Sequence, residues 1–589
     1  MSQIKNHLAS IRDWMSENNI DALIIPHEDE YLSEYIPPEC ERLAWATGFT
    51  GSAGAAVILE NKAAIFVDGR YTVQVRNQVD ESLLAYKHLA EDPYLKWIQT
   101  NTNSGAKVGY DARLHRANWV KTAKKSLGKK LDLVSIPENP IDLYWDDKPA
   151  AKCEEALLLD EKFTGKSSSD KRNEIASTLK SKNIDAAFLT QLDSIAWLLN
   201  IRGTDVPCNP VLLSHAIVYA DASVDLFINL DKIPNGFEDH VGKGVNVFAS
   251  NEMKTRISTL SGKKVIYNSA GSNAYCAQLL SEASAEIISG DDPCVLPKAC
   301  KNDVELQGMK DCHIRDAVAE CEFLAWFDEQ VNQGNMLDEA TLADKLDGLR
   351  AEQDMYKGLS FGTISAAAGN AAMCHYSHLN QDVPGNLEMD SVYLVDSGGQ
   401  YLDGTTDITR TIAVGDPSDF IKKMFTLVLK GHISLGSARF PNGIGGQHVD
   451  TLARQFLWHH GYDFDHGTGH GVGCFLNVHE GPHRIGKGAN NVPLIPGMVV
   501  SNEPGYYEDG QFGIRCENLV FVKESTKDGL YEFENLTFVP FDTRLIDKSL
   551  MTDVELNWLN EYHKEVFEKI APHVNGTTLT WLKNATEPI

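Results

Sequence analysis

A duplication in the first half constrains this chain more than any other feature. "NIDALII" at 19–25 returns as "NIDAAFL" at 183–189, and "LAWATGFTGS" at 43–52 returns as "IAWLLNIRGT" at 195–204. A repeated segment marks a repeated structural unit, so both copies should adopt one local architecture. Each copy follows apolar residues at helical spacing: Ile4, Leu8, Ile11 and Met15 before the first, Ile175 and Leu179 before the second. Each leads into short apolar strands, "AAIFVDGRY" and "VDLFINL". Unequal spacing between the paired motifs implies a loop gained or lost. The chain should therefore open with two related α/β domains, 1–150 and 151–302, divided by the proline-bearing connector "SIPENPIDLYWDDKPAA".

A third domain is expected over 303–589. It begins with a helical pattern, in which Leu306, Met309, Ile314, Val318, Cys321 and Leu324 return every three to five residues. The texture then turns β-rich and glycine-punctuated, as in "SVYLVDSGGQYLDG" and "GMVVSNEPGYY". At 589 residues the chain is too long for one core, which agrees with several domains.

Composition excludes some partners. A net charge of −28 argues against nucleic acid, which calls for a basic stripe. The 11 cysteines are odd in number and lack C-x-x-C pairing, so a disulfide framework or zinc ribbon is not expected and a reducing compartment fits. "MSQIKNHLASIRDW" lacks the apolar core of a signal peptide, and no run reaches transmembrane length. A soluble, cytosolic protein without membrane or nucleic-acid partners is expected.

The chemistry gathers in the third domain. "DFDHGTGHGVGC" at 463–474 presents His466 and His470 among glycines. A zinc helix of the H-E-x-x-H type is excluded, because no glutamate lies between the histidines and each of Gly467, Gly469 and Gly471 costs a helix about 1 kcal/mol. A phosphate cradle fails as well: Val472 stands where glycine is needed, and no lysine follows. What is left is a loop whose backbone approaches something closely while offering two imidazoles.

Four carboxylates share that domain. Asp396 ends an apolar strand, and Asp407 is expected on the return strand of a glycine-turned hairpin. Glu503 ends another apolar strand before a Pro-Gly break; Glu517 is expected inside a strand, with Arg515 on its face. Buried acids must pair, neutralise or coordinate cations. Singly, each is more often a strand-end cap or a salt-bridge partner, and Arg515 could neutralise Glu517 with no metal present. Together, four carboxylates balance two divalent ions, with one imidazole and a bridging water completing the shells. Such an oxygen-rich set suits Mn²⁺, Co²⁺ or Mg²⁺ better than structural zinc.

The ordered set Asp396, Asp407, His470, Glu503 and Glu517 resembles the five ligands of the pita-bread metallopeptidases, the family of methionine aminopeptidase, prolidase and aminopeptidase P. The resemblance implies that Asp407 and Glu517 bridge two metals, that Asp396 completes one, and that His470 and Glu503 complete the other. "GFTGSAG", "DGRY", "IAWLLNIRGTDV" and the tail "WLNEYHKEVFEKI" extend it to the three-domain, cytosolic aminopeptidase P branch over nearly the whole chain. The fold implied is two creatinase-type α/β domains followed by an α+β pita-bread domain.

The implied activity is removal of the N-terminal residue from peptides with proline second, by water held between two divalent metals, Mn²⁺ first and Co²⁺ as the alternative. His375, His466 and His479 match the family's substrate-handling histidines, and Glu503 doubles as general base. Arg70 in "DGRY" and Arg515 are candidate substrate contacts; Arg70 reads equally as an interface salt bridge. His378 and His483 match nothing in the family and are expected at the surface or behind the site. A homodimer is implied, and the tail stretch Val554, Trp558, Tyr562, Val566 and Ile570 suits either a subunit contact or packing within the chain. The alternatives are an X-Pro dipeptidase, against which the duplicated half speaks, and a metal-free binding module, against which the complete ligand set speaks.

Overall fold

A computed structural model describes residues 2–381 and 383–589. The chain forms two compact units: one runs to Leu159 and resumes over Lys166–Cys294, the other comprises Asp160–Gly165 and Val295–Ile589.

The N-terminal unit holds two six-stranded sheets. The first contains β1 (Ala22–Pro26), β2 (Ala55–Leu59), β3 (Ala63–Val67), β4 (Ala85–His88), β5 (Lys107–Asp111) and β6 (Asp132–Ile136), in the order β4-β3-β2-β1-β5-β6. The second contains β7 (Ala186–Leu189), β8 (Ser214–Tyr219), β9 (Val224–Ile228), β10 (Val245–Ala249), β11 (Lys264–Tyr267) and β12 (Glu286–Ser289), in the order β10-β9-β8-β7-β11-β12. The order is the same once the strands are renumbered, so the sequence repeat is a repeat of topology. Helix α1 (Ser2–Glu17) buries Leu8, Ile11 and Met15, and α2 (Ser168–Ser181) buries Ile175 and Leu179, as the spacing implied. Backbone bonds join the two sheets' domains, Ala117 N–H to Ser272 and Ala274 N–H to His115, which is why they form one unit.

The C-terminal unit opens with α3 (Asp303–Asn332), which buries Met309, Val318, Cys321 and Leu324. Asn302 caps it, accepting from Val304 N–H and Glu305 N–H while Glu305 accepts from Asn302 N–H. Asn302 also donates to Thr164 O at 2.9 Å, tying in the stretch Asp160–Gly165. Three further long helices, α4 (Glu339–Ala351), α5 (Asp419–Gly436) and α6 (Gly446–Trp458), temper the β-rich texture expected there.

Two sheets carry the interior. One is β13 (Ile364–Ala367), β14 (Ser391–Ser397) and β15 (Ile408–Val414), ordered β13-β14-β15. The other is β16 (Arg439–Pro441), β17 (Gly469–Gly471), β18 (Glu480–Ile485), β19 (Val499–Asn502), β22 (Asn518–Glu524) and β23 (Leu530–Asn535), ordered β16-β23-β22-β19-β17-β18. Between β19 and β22 lies a separate hairpin of β20 (Gly505–Glu508) and β21 (Phe512–Arg515). Val392, Tyr393, Leu394 and Val395 of β14 are all buried, so helices and strands cover both of its faces. Each contributes about 1.5–3 kcal/mol of apolar burial. Helix α7 (Asp553–Ile570) buries Tyr562, Val566 and Ile570 in this same core while leaving Val554 exposed; the tail stretch thus packs mainly within the chain.

Candidate metal centre

The strands explain how four acids meet. In β14–β15, Asp396 pairs with Thr409 and Ser397 with Ile408. Asp407 lies one residue ahead of β15 rather than on it. In β19–β22, Asn502 pairs with Asn518, and in β20–β21, Gly505 pairs with Arg515. Glu503 and Glu517 therefore fall in the gap between two ladders. The expectation of Glu517 inside a strand is corrected: Pro504 has no N–H to continue the ladder, so Cys516 N–H bonds Pro504 O and Glu517 N–H turns to Thr409 O at 3.3 Å. That turn brings Glu517 to the side of Asp407.

His470 sits on the short β17, and the close approach expected of its glycines is real. A Cβ on Gly469 would lie 2.0 Å from Ser501 O, and one on Gly471 2.3 Å from Glu480 O. His470 Nδ1 donates to Gly471 O at 3.0 Å, which leaves Nε2 facing Asp407 Oδ2 at 3.3 Å and Glu503 Oε1 at 3.6 Å. Asp407, His470 and Glu517 each offer a ligand atom within 4.8 Å of the others.

Arg515 does not neutralise Glu517 directly. Its Nη2 donates to Asp396 Oδ2 at 2.5 Å, its Nη1 to Tyr507 Oη at 2.7 Å and its Nε to Thr409 Oγ1 at 3.0 Å. Thr409 in turn donates to Glu517 Oε2 at 2.6 Å. Arg515 is 2% exposed, and these three bonds use three of its five donor hydrogens.

Burial drives this cluster's acids upward. Asp396 is raised to about 6 and Glu503 to about 7, burial being the main cause and neighbouring carboxylates adding to it against the opposing charge of Arg515. Glu517 is raised far above the carboxylate range by burial, Asp407 and Glu503. For His470, burial opposes the charge, yet the bond to Asp407 and the charges of Glu503 and Asp407 lift it to about 9. Negative charge in excess of Arg515 is the setting in which buried acids hold protons or cations. Among the described residues, Asp396 Oδ1 is moreover buried without a hydrogen-bond partner. Oxygen donors with one imidazole fit a pair of divalent ions.

The other predicted residues are distributed as follows. His466 Nε2 meets Tyr507 Oη at 2.8 Å, and Nδ1 lies 3.9 Å from Glu503 Oε2. The His479 ring stands 4.3 Å from that of His470. His375 is half-buried, beside Tyr376, whose hydroxyl donates to Glu339 at 2.6 Å. Glu339 also accepts from Ala367 N–H, Asn370 and Gly385 N–H, pinning the segment that carries His375. Arg70 lies in the N-terminal unit, where its guanidinium bonds Asp68 at 2.8 Å and approaches Glu34 at 3.8 Å. His378 and His483 are buried, not surface residues; His483 Nε2 lies 2.7 Å from Val499 O.

Several buried partners were missed. His432 on α5 directs Nδ1 at Asn502 O (3.0 Å) and Cys516 O (3.1 Å), the carbonyls just ahead of Glu503 and Glu517. Glu480, next to His479, is held by Lys298 at 2.8 Å and by Lys301, all three buried. In sequence these are ordinary helix and loop residues, and no local pattern signals their convergence.

Comparison with known proteins accords with this arrangement. Residues 307–524 match metallopeptidase family M24, and residues 529–589 match the C-terminal region of peptidase M24. Residues 7–141 and 147–305 each match a creatinase/prolidase N-terminal domain. An X-prolyl aminopeptidase from Caenorhabditis elegans, described as a cytosolic enzyme with a di-nuclear active site, superposes with a TM-score of 0.96 at 35% identity over 100% of both chains. A probable Xaa-Pro aminopeptidase P from Tuber melanosporum is 41% identical over 617 residues, covering 99% of each chain. A Xaa-Pro dipeptidase from Bacillus anthracis, 24% identical with a TM-score of 0.51, shares the fold but spans only 64% of this chain with 99% of its own. Fold and site thus define a metallopeptidase of the M24 class. Within that class, the chain belongs to the Xaa-Pro aminopeptidase P family.

Proposed function

We propose that this chain is a metal-dependent exopeptidase that removes the N-terminal residue from peptides whose second residue is proline, and that Asp396, Asp407, His470, Glu503 and Glu517 hold two divalent ions. The observation that carries the metal reading is Asp407, Glu503 and Glu517 gathered around His470, with Asp396 held beside them by Arg515 and its Oδ1 unpaired among the described residues. Mn²⁺ is the ion proposed, with Co²⁺ as the alternative. When bound, such ions supply Lewis acidity that acidifies water and polarises a carbonyl.

The protein's own groups do the rest. Glu503 takes the proton from the attacking water, its carboxyl already raised toward neutrality by burial. His375, His466 and His479 donate to the developing oxyanion or to the leaving nitrogen. That last proton matters for proline, because an X–Pro amide nitrogen carries no hydrogen and must be protonated as it departs. Arg515 fixes Asp396 through its short bond. Arg70 is proposed as a further substrate contact. The three-domain division at 150 and 302, a homodimer and a cytoplasmic location complete the reading; the structural relative described as cytosolic supports the location.

Activity on X-Pro-X tripeptides compared with X-Pro dipeptides tests the specificity. Cleavage of tripeptides is expected, and cleavage of dipeptides alone would overturn it.

A further inference from the structure

The loop 463–468, which leads from α6 to His470, has almost no regular structure, so its carbonyls need donors from elsewhere. Arg454 of α6 supplies them. Its Nε donates to Asp450 Oδ2 at 2.8 Å, and its Nη1 to Asp463 Oδ1 at 2.9 Å and Phe464 O at 2.6 Å. Its Nη2 donates to His466 O at 2.8 Å and more weakly to Thr468 Oγ1 at 3.4 Å. An arginine has five donor hydrogens, and here each has an acceptor. The guanidinium also lies 3.7 Å from the centre of the Phe464 ring, which sits 4.8 Å from the His466 ring.

The network closes on itself. Thr468 Oγ1 donates to Asp450 Oδ1 at 2.5 Å, and Thr468 O accepts from Glu503 N–H at 2.9 Å. Asp450 and Arg454 are 2% and 0% exposed. Asp463 is shared with Lys487 at 2.6 Å, so two carboxylates face two cations. A buried, charge-balanced and fully bonded arginine holds its partners in one geometry. What it holds is the backbone of His466.

We propose that Arg454 is a positioning residue for the reaction: through the carbonyl of His466 and the Thr468–Asp450 bond, it fixes the imidazole of His466 between Glu503 and Tyr507. The inference rests on the reading of His466 as a proton donor during turnover. Lysine at this position could not reach Asp450, Phe464 and His466 together, because it offers one nitrogen where arginine offers a planar fork.

The test is a double-mutant cycle of Arg454→Lys and His466→Ala on the metal-loaded enzyme, reading kcat, KM and bound metal separately. Arg454→Lys alone is expected to lower kcat about 100-fold, the cost of misplacing a catalytic group by about 1 Å, while KM and bound metal change little. In the His466→Ala background the same change should alter kcat by no more than about twofold, because the group it positions is gone. Multiplying effects, or a loss of metal matching the loss of kcat, would overturn the role given to Arg454. Unchanged kcat in His466→Ala alone would instead overturn the reading of His466. Should Arg454→Lys fail to fold, Thr468→Val removes the hydroxyl between Arg454 and Asp450 and runs through the same cycle. A drop in kcat confined to the His466-containing protein supports the proposal; an equal drop in both backgrounds contradicts it.

Discussion

Arg515 Nη2 and Asp396 Oδ2 lie 2.5 Å apart, both buried, with the other carboxylate oxygen of Asp396 left without a partner among the described residues. One arginine thus fixes an acid without using all of its lone pairs. Removing one member of such a pair while the other stays buried costs about 3–5 kcal/mol where nothing else compensates. Arg515→Met should therefore lower stability by an amount of that order in metal-free protein, and by less when cations compensate Asp396. Thermal melts with and without added metal measure the difference, and equal losses in both would contradict it.

Asp407→Ala and His470→Ala should each abolish nearly all turnover with modest change in folding. His470 Nε2 is 3.3 Å from Asp407, so either truncation breaks the same small cluster. Elemental analysis beside kinetics is the check. Activity retained in either variant would place the reaction elsewhere.

His466→Ala should cut turnover by about 10²–10⁴, the usual contribution of a positioned acid or base, while leaving bound metal largely intact. Metal lost in parallel with activity would recast His466 as a ligand.

Much of this was legible in the chain itself. The repeated "NIDA" segments became two sheets with one strand order, and Asp407, His470 and Glu517, far apart in the chain, bring their side chains within 4.8 Å of one another. Arg454 shows what was not legible. Four residues beyond Asp450 on a helix, it reads as an ordinary surface ion pair, yet it is wholly buried under the histidine loop. His432 and Glu339 were hidden for another reason: their bonds reach across 28 to 84 residues of sequence, which periodicity does not encode. Glu517 was misplaced because Pro504, in the gap between β19 and β20, ends the ladder, and nothing in the sequence around Glu517 marks this.

Acid should destabilise the fold through buried imidazoles. Burial lowers His432 and His483 to about 3, and His115, His215 and His563 to about 4, with only partial opposition from backbone bonds where these exist. An unfolded chain binds protons at these sites near pH 6.5, whereas the folded one does not until much lower. Stability is therefore complete above about pH 6.5 and falls as pH drops toward 4, by up to about 1.4 kcal/mol per unit for each ring. His215, packed against Tyr31 and Phe188, isolates the effect. His215→Phe should flatten the decline by about that slope in denaturation between pH 6.5 and 4.5; an unchanged slope would contradict the assignment.

The most direct test of the centre is titration of metal-stripped protein with Mn²⁺, following bound ion and cleavage of an X-Pro-X peptide together. No turnover without metal is expected, then a rise that saturates with two ions bound per chain. Full turnover by the stripped protein, or saturation with no ion retained, would contradict a pair of cations held by Asp396, Asp407, His470, Glu503 and Glu517.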